Sequence, residues 1–174
     1  LGHSNGSLIS IRYTFKYQDE LNGVILSGAA LRAAVPVPAI KLKLMPILAK
    51  WLPTTLFNAG LDPKGLSHDE KVVKDYVSDP LVYKVISAKF AYEMFNAMED
   101  SLKRAAEIRI PIIMLHGGAD PACDPVAAED FFNRLSSKDK TMHIYPGLFH
   151  EIFNETEKGK VFADLGAWLT PRLG

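Results

Sequence analysis

Cysteine is nearly absent from this chain: of 174 residues only Cys123 is one, which excludes an internal disulfide. Net charge is absent as well. Twenty Lys and Arg cancel twenty Asp and Glu. Without a clustered basic excess the chain lacks the footprint of a phosphate binder, so nucleic acid is not expected as a partner. Long hydrophobic runs are missing too. The longest apolar-looking stretch, residues 24–40, contains Arg32, Pro36 and Pro38 and reads poorly as a spanning helix. There is no internal repeat and no low-complexity linker. What remains is a chain of one-domain length, 48% hydrophobic and 23% charged, the composition of a globular protein with a real core.

Its elements alternate. Residues 7–17 carry Leu8, Ile9, Ile11, Tyr13 and Phe15 at the mixed spacing of a buried helix. After the turn pair Asn22-Gly23, residues 24–27 form a short apolar run that fits a parallel strand buried on both faces. Residues 110–116 and 141–145 read as two further strands, closed by Gly117-Gly118 and Pro146-Gly147. Asp124-Pro125 opens a helix running to about Leu135, and a last helix over 156–169 places Val161, Phe162, Leu165, Trp168 and Leu169 at helical spacing. This order implies a parallel sheet with helices on its faces.

The interval from 31 to 108 breaks the rhythm. It shows no convincing strand, and its helical periodicity suggests an inserted helical cap over 32–107. Its first helix, 38–52, gathers Ile40, Leu44, Ile47, Leu48 and Trp51 on one face, with Lys43 and Lys50 opposite and Lys41 at the border. Such a helix suits either a core-facing cover over the site or a membrane surface. A helix start is expected at Ser67, with Glu70 at its third position, and a stop at Asp79-Pro80. Another helix is expected over 87–108, with Phe90, Met94, Ala97 and Met98 as its core stripe.

Chemistry concentrates first at Gly2-His3-Ser4-Asn5-Gly6, a G-x-S-x-G pattern that turns sharply from strand to helix and lifts a serine above the sheet. The flanking glycines are expected because the turn leaves little room for side chains. A strand should precede such an elbow, yet only Leu1 and Gly2 do; the expectation is a C-terminal part of a longer protein, its N-terminal strands missing or held on another chain. Ser4 needs a base. His150, after the third strand and a short loop, would stand over the carboxyl edge where such sites gather. His3 is expected to point away from its neighbour, His68 to sit on a surface helix, and His116 and His143 to be strand residues. The base needs an orienting carboxylate. Asp120 follows the second strand directly, whereas its competitor Asp124 precedes proline as a helix cap. The order Ser4, Asp120, His150 is the Ser…Asp…His order of one hydrolase fold. The backbone N–H of Asn5 would supply one oxyanion donor.

These residues resemble the monoacylglycerol lipase and lysophospholipase group of α/β-hydrolases along essentially the whole chain. The likeness runs from Gly2-His3-Ser4 through Tyr76-Val77-Ser78-Asp79-Pro80-Leu81 and Leu115-His116-Gly117-Gly118-Ala119-Asp120 to Tyr145-Pro146-Gly147-Leu148-Phe149-His150-Glu151. The resemblance implies an α/β fold, the mostly parallel sheet, flanking helices and inserted helical cap of an α/β-hydrolase. It implies Ser4, Asp120 and His150 as triad, with no cofactor and no metal. The implied substrate is a lipid ester, with Tyr76 and Cys123 near the glycerol end of the pocket and peripheral membrane contact through 38–52 on the cytoplasmic side. Phe153 stands where some members have a head-group histidine. Asn5-Gly6-Ser7 replaces the usual Met-Gly-Gly, which predicts looser helix-to-strand packing at Ser7. The competing reading is a truncated or split hydrolase-like chain with a structural or binding role and no turnover.

Overall fold

A glycine with no room for a Cβ, Gly2, opens the first strand, and the elements follow from there. The computed structural model describes residues 1–173. β1 (Gly2–His3) pairs parallel with Leu26 and Ser27, so a short strand does precede the elbow; two residues are enough to make the ladder. α1 (Asn5–Tyr17) buries Leu8, Ile11 and Thr14, three residues apart, and turns Ile9 and Tyr13 to solvent. β2 (Val24–Ser27) follows.

The interval that lacked strand signals holds α2 (Ala39–Trp51), β3 (Leu56–Asn58), α3 (Glu70–Ser78) and β4 (Val85–Ser87). β3 and β4 pair antiparallel as a separate two-stranded sheet. At three residues each, they are too short to show a period in sequence. α3 is capped by Asp69, whose carboxylate accepts from Lys71 N–H, and not by Ser67. α4 (Ala88–Arg104) starts at a Ser87 cap and packs along α2 and α1. Phe90 is exposed, contrary to the expected stripe, while Ala88, Ala91, Met98 and Ser101 are buried. The end of α4 and the 3-10 turn after it reach into the main core through Leu102, Ala105 and Ile108.

β5 (Ile112–Gly117), α5 (Pro125–Arg134), β6 (Lys140–Tyr145) and α6 (Lys158–Leu169) complete the chain. α5 begins on the Asp124 cap as its Asp-Pro pair implies. The main sheet has the order β1-β2-β5-β6, parallel throughout. All six residues of β5 are buried, and their alternation sorts two cores. Ile112 and Met114 face α1, α5 and Phe131; Ile113 and Leu115 face Ile152, Val161 and Trp168 on the α6 side. Burying strand residues on both faces is what crossover helices require of a parallel sheet. The parallel run also brings His3, Ser27, Gly117 and Tyr145 to one edge. Among the described residues no helix is long and apolar enough to cross a membrane.

Candidate active site

Ser4 sits at that edge in a conformation L-residues avoid. Its φ of 53° is the only positive value for a non-glycine among the described residues, and such a residue typically costs about 1–3 kcal/mol, so its surroundings must hold it. Ser4 N–H donates to Ser27 O at 2.9 Å, and Ser4 O accepts from Ser7 N–H at 2.9 Å and Ala30 N–H at 3.3 Å. The buried Ser7 hydroxyl lies 2.7 Å from Gly2 O and 3.0 Å from Ser27 O, and accepts Ser27 N–H at 3.2 Å. Ser7 therefore ties α1 to both strands, in place of the looser packing expected from replacing a glycine. Of the two motif glycines only Gly2 is sterically required: a Cβ there would meet Gly6 O at 2.3 Å, whereas one on Gly6 meets nothing outside its own helix. Although Ser4 occupies the N-cap position of α1, its side chain makes no capping bond.

Asp120 follows β5 and is buried. Its Oδ1 accepts from Ala122 N–H at 2.8 Å and Cys123 N–H at 3.0 Å, and its Oδ2 accepts from His150 Nδ1 at 2.7 Å. His116 Nε2 lies 3.1 Å from the same Oδ2 and 3.1 Å from Cys123 O, so that nitrogen carries the proton and shares it between them. Burial pushes the Asp120 carboxyl up, but the hydrogen bonds from His116 and His150 outweigh it and hold the group well below the usual carboxylate range. Oδ2 thus serves two histidines; the sequence signalled only one of them. His150 is buried, with its ring against Gly28 and its centroid 4.9 Å from that of His3. Because Asp120 accepts from Nδ1, Nε2 of His150 is the nitrogen left with a lone pair.

Cys123 lies among these groups. Its Sγ is within 4.8 Å of ligand atoms on both Asp120 and His150. Burial and the Asp120 charge push its thiol up to about 12. A thiol so held stays protonated at neutral pH and does not compete as nucleophile. The hydrogen bonds among Asp120, His150 and the backbone account for this grouping without an ion.

His3 bonds with residues other than its neighbour Ser4. Its Nδ1 is 3.1 Å from Ser27 Oγ and its Nε2 is 3.0 Å from Glu151 Oε1. Burial raises the Glu151 carboxyl, but the bond and charge of His3, the bond from Asn154 and the charge of His150 together outweigh it and leave the group lowered. Tyr76, half-buried on α3, feels the Glu151 charge: burial first, then that carboxylate, raises its phenol. His68 is not on a helix; it precedes α3, stacks on Phe149 at 3.8 Å and binds Glu155. The Phe153 ring packs on Phe162 at 5.3 Å and against the α6-side core, carried by the 3-10 turn after Glu151. Asn5 is the first residue of α1, where a backbone N–H has no intrahelical acceptor.

A parallel sheet, a serine held at positive φ between strand and helix, and an acid and histidine on the loops after β5 and β6 define the α/β-hydrolase class. Comparison narrows it: the chain belongs to the Hydrolase_4 family, described as serine aminopeptidase S33, whose model matches residues 1–157. It is 31% identical to a monoacylglycerol lipase from Mycolicibacterium smegmatis, over 99% of this chain and 62% of that protein. It is 30% identical to human monoglyceride lipase, over 99% of this chain and 58% of that one. The chain thus spans roughly three fifths of each of these curated relatives. Among solved structures, the Paleococcus ferrophilus monoacylglycerol lipase superposes with a TM-score of 0.92 at 37% identity, over 98% of this chain and 67% of that one. A soluble variant of monoglyceride lipase from Saccharomyces cerevisiae, in complex with a substrate analog, gives 0.85 at 30% identity, over 98% and 60%.

Proposed function

We propose that this chain carries the catalytic residues of a serine carboxylic ester hydrolase that cleaves monoacylglycerols or lysophospholipids to fatty acid and alcohol. The observation that carries the reading is the buried 2.7 Å bond between His150 Nδ1 and Asp120 Oδ2, on the same sheet edge as the positive-φ turn at Ser4. In this mechanism Ser4 Oγ attacks the ester carbonyl while His150 Nε2 takes its proton. Asp120 holds the imidazole in the productive tautomer and stabilises the imidazolium. The tetrahedral oxyanion accepts from the Asn5 N–H. His150 then protonates the departing alcohol, leaving an acyl group on Ser4. Water, deprotonated by His150, releases the acid and restores the serine.

The lipid class rests on similarity to proteins named as monoacylglycerol lipases and on the surface of 32–107, read as a cap. On α2, Ile40, Leu44, Ile47 and Trp51 are exposed beside Lys41, Lys43 and Lys50. Apolar side chains flanked by lysines suit peripheral contact with a lipid surface that presents the substrate. Tyr76 and Cys123 are assigned to the glycerol end of the pocket. A fluorophosphonate probe applied to the intact protein is expected to label Ser4, with loss of label in Ser4→Ala. A folded, intact protein that takes no label at Ser4 overturns the reading in favour of a chain without turnover.

A further inference from the structure

Glu155 is a carboxylate that the proposed reaction does not use, yet its side chain is only 1% exposed. Four N–H donors surround it, with the Ser67 hydroxyl beside them. Oε1 accepts from Phe149 N–H at 2.8 Å and from His68 Nδ1 at 2.8 Å. Oε2 accepts from His68 N–H at 3.0 Å, while Ser67 Oγ and Thr156 N stand 3.3 Å away. Burial alone would raise this carboxyl; the bonds from Phe149 and His68 hold it below its usual value.

The two groups of donors come from different parts of the chain. Phe149 is the residue before His150. Ser67 and His68 belong to the segment leading into α3. That segment runs as a strap beneath the site. Gly65 O lies 3.5 Å from His150 N, and Leu66 O accepts from Glu151 N–H at 2.8 Å. A Cβ on Gly65 would stand 2.3 Å from Pro121 Cγ, so the strap also presses on the residue after Asp120. The His68 ring lies on the Phe149 ring. With Ser67 donating to Asn154 O at 3.0 Å, the strap is fastened on both sides of His150.

We infer that Glu155 is a positioning residue: it clamps the strap 65–68 to the loop carrying His150, so that the base is placed only when the strap is seated. This rests on the reading of His150 as the base for Ser4. The chemistry is that of a charge-assisted hub, in which one carboxylate satisfies donors that no neutral group of its size could match. Glu155→Gln keeps the shape but turns an N–H₂ toward N–H donors, opening the clamp.

The test compares the intact protein with its Glu155→Gln and His68→Ala variants in two assays: the rate of Ser4 labelling by a fluorophosphonate, and kcat and KM on a monoacylglycerol. A displaced base lowers nucleophile activation without weakening binding. Labelling rate and kcat are therefore expected to fall together, by about 10²-fold in Glu155→Gln and about tenfold in His68→Ala, with KM within about twofold. Labelling and kcat within about twofold of the parent in both variants, or a change confined to KM, overturns the inference. If Glu155→Gln does not fold, His68→Ala decides alone, its side chain being 48% exposed. A parent protein that takes no label overturns the assignment of Ser4 and His150, and the clamp with it; a labelled parent with unaffected variants overturns the clamp only.

Discussion

The chain from β5 to His150 and the chain from Arg32 to Ser87 are built by opposite means. In the first, every residue of β5 is buried and Asp120, at its end, has partners for both oxygens. In the second, only Ala49, Gly65, Leu66 and Ser67 are buried, while Trp51, Leu81 and Tyr83 stand 72%, 81% and 80% exposed. The buried exceptions cluster at the strap, where this region meets the site. The difference teaches how the labour is divided. The sheet supplies the geometry that chemistry needs. The outlying region has little core of its own and belongs to the low-stability end of the structure, from which substrate-handling elements are drawn.

Substitutions at the site itself break the comparison hardest. Ser4→Ala is expected to lower ester hydrolysis about 10⁶-fold while leaving the fold intact, measured as kcat on a monoacylglycerol. Asp120→Asn should cost about 10⁴-fold in kcat by the same assay, because the amide presents the wrong partner to His150 Nδ1. It also removes a pH dependence. The Asp120 carboxyl is depressed in the folded state, so its contribution to stability is complete above the unfolded carboxylate pKa of about 4 and is lost as pH falls from there toward the folded value. Denaturant titration should therefore show the parent losing stability below about pH 4 more steeply than Asp120→Asn.

The next contrast is between the two regions directly. Phe131→Ala, in the core beneath β5, should destabilise by about 3–5 kcal/mol in urea unfolding. Trp51→Ala, on the open face of α2, should change stability by less than about 0.5 kcal/mol. Equal effects would mean the outlying region is as much a core as the sheet. Ser7→Ala lies between these extremes: removing the hydroxyl from the buried Ser27 N–H and Gly2 O is expected to cost about 1–3 kcal/mol. Thermal unfolding reads that loss, and slower Ser4 labelling would show that the elbow has loosened.

Much of the sheet was legible because its signals are local. The apolar run before Gly117-Gly118 and the Asp124-Pro125 cap each announce an element within a few residues. Asp120 and His150, which the structure pairs, were legible for the same reason, each lying on the short loop after a strand. The short elements were not: β1 is two residues long, and β3 and β4 are three. Other features depend on partners far along the chain. His3 meets Glu151, and Glu155 meets His68, with nothing in either local pattern to pair them. Phe90 read as core from its spacing on α4, but the neighbouring face, with Ala88, Ala91 and Met98, is the one tertiary packing covered. Phe153, placed by resemblance, packs on Phe162 of α6, a partner its local pattern does not announce.

The parallel sheet also gives the molecule a polarity that bears on how it tolerates change. Every strand delivers its carboxyl end to the same edge, so the opposite edge is left with plain turns such as Asn22-Gly23 and the stretch around Lys138, an exposed side chain. Nothing at that edge touches Ser4, Asp120 or His150. It is the end expected to tolerate tethering, tagging or insertion, while the edge that carries Ser4, Asp120 and His150 is bound by buried hydrogen bonds.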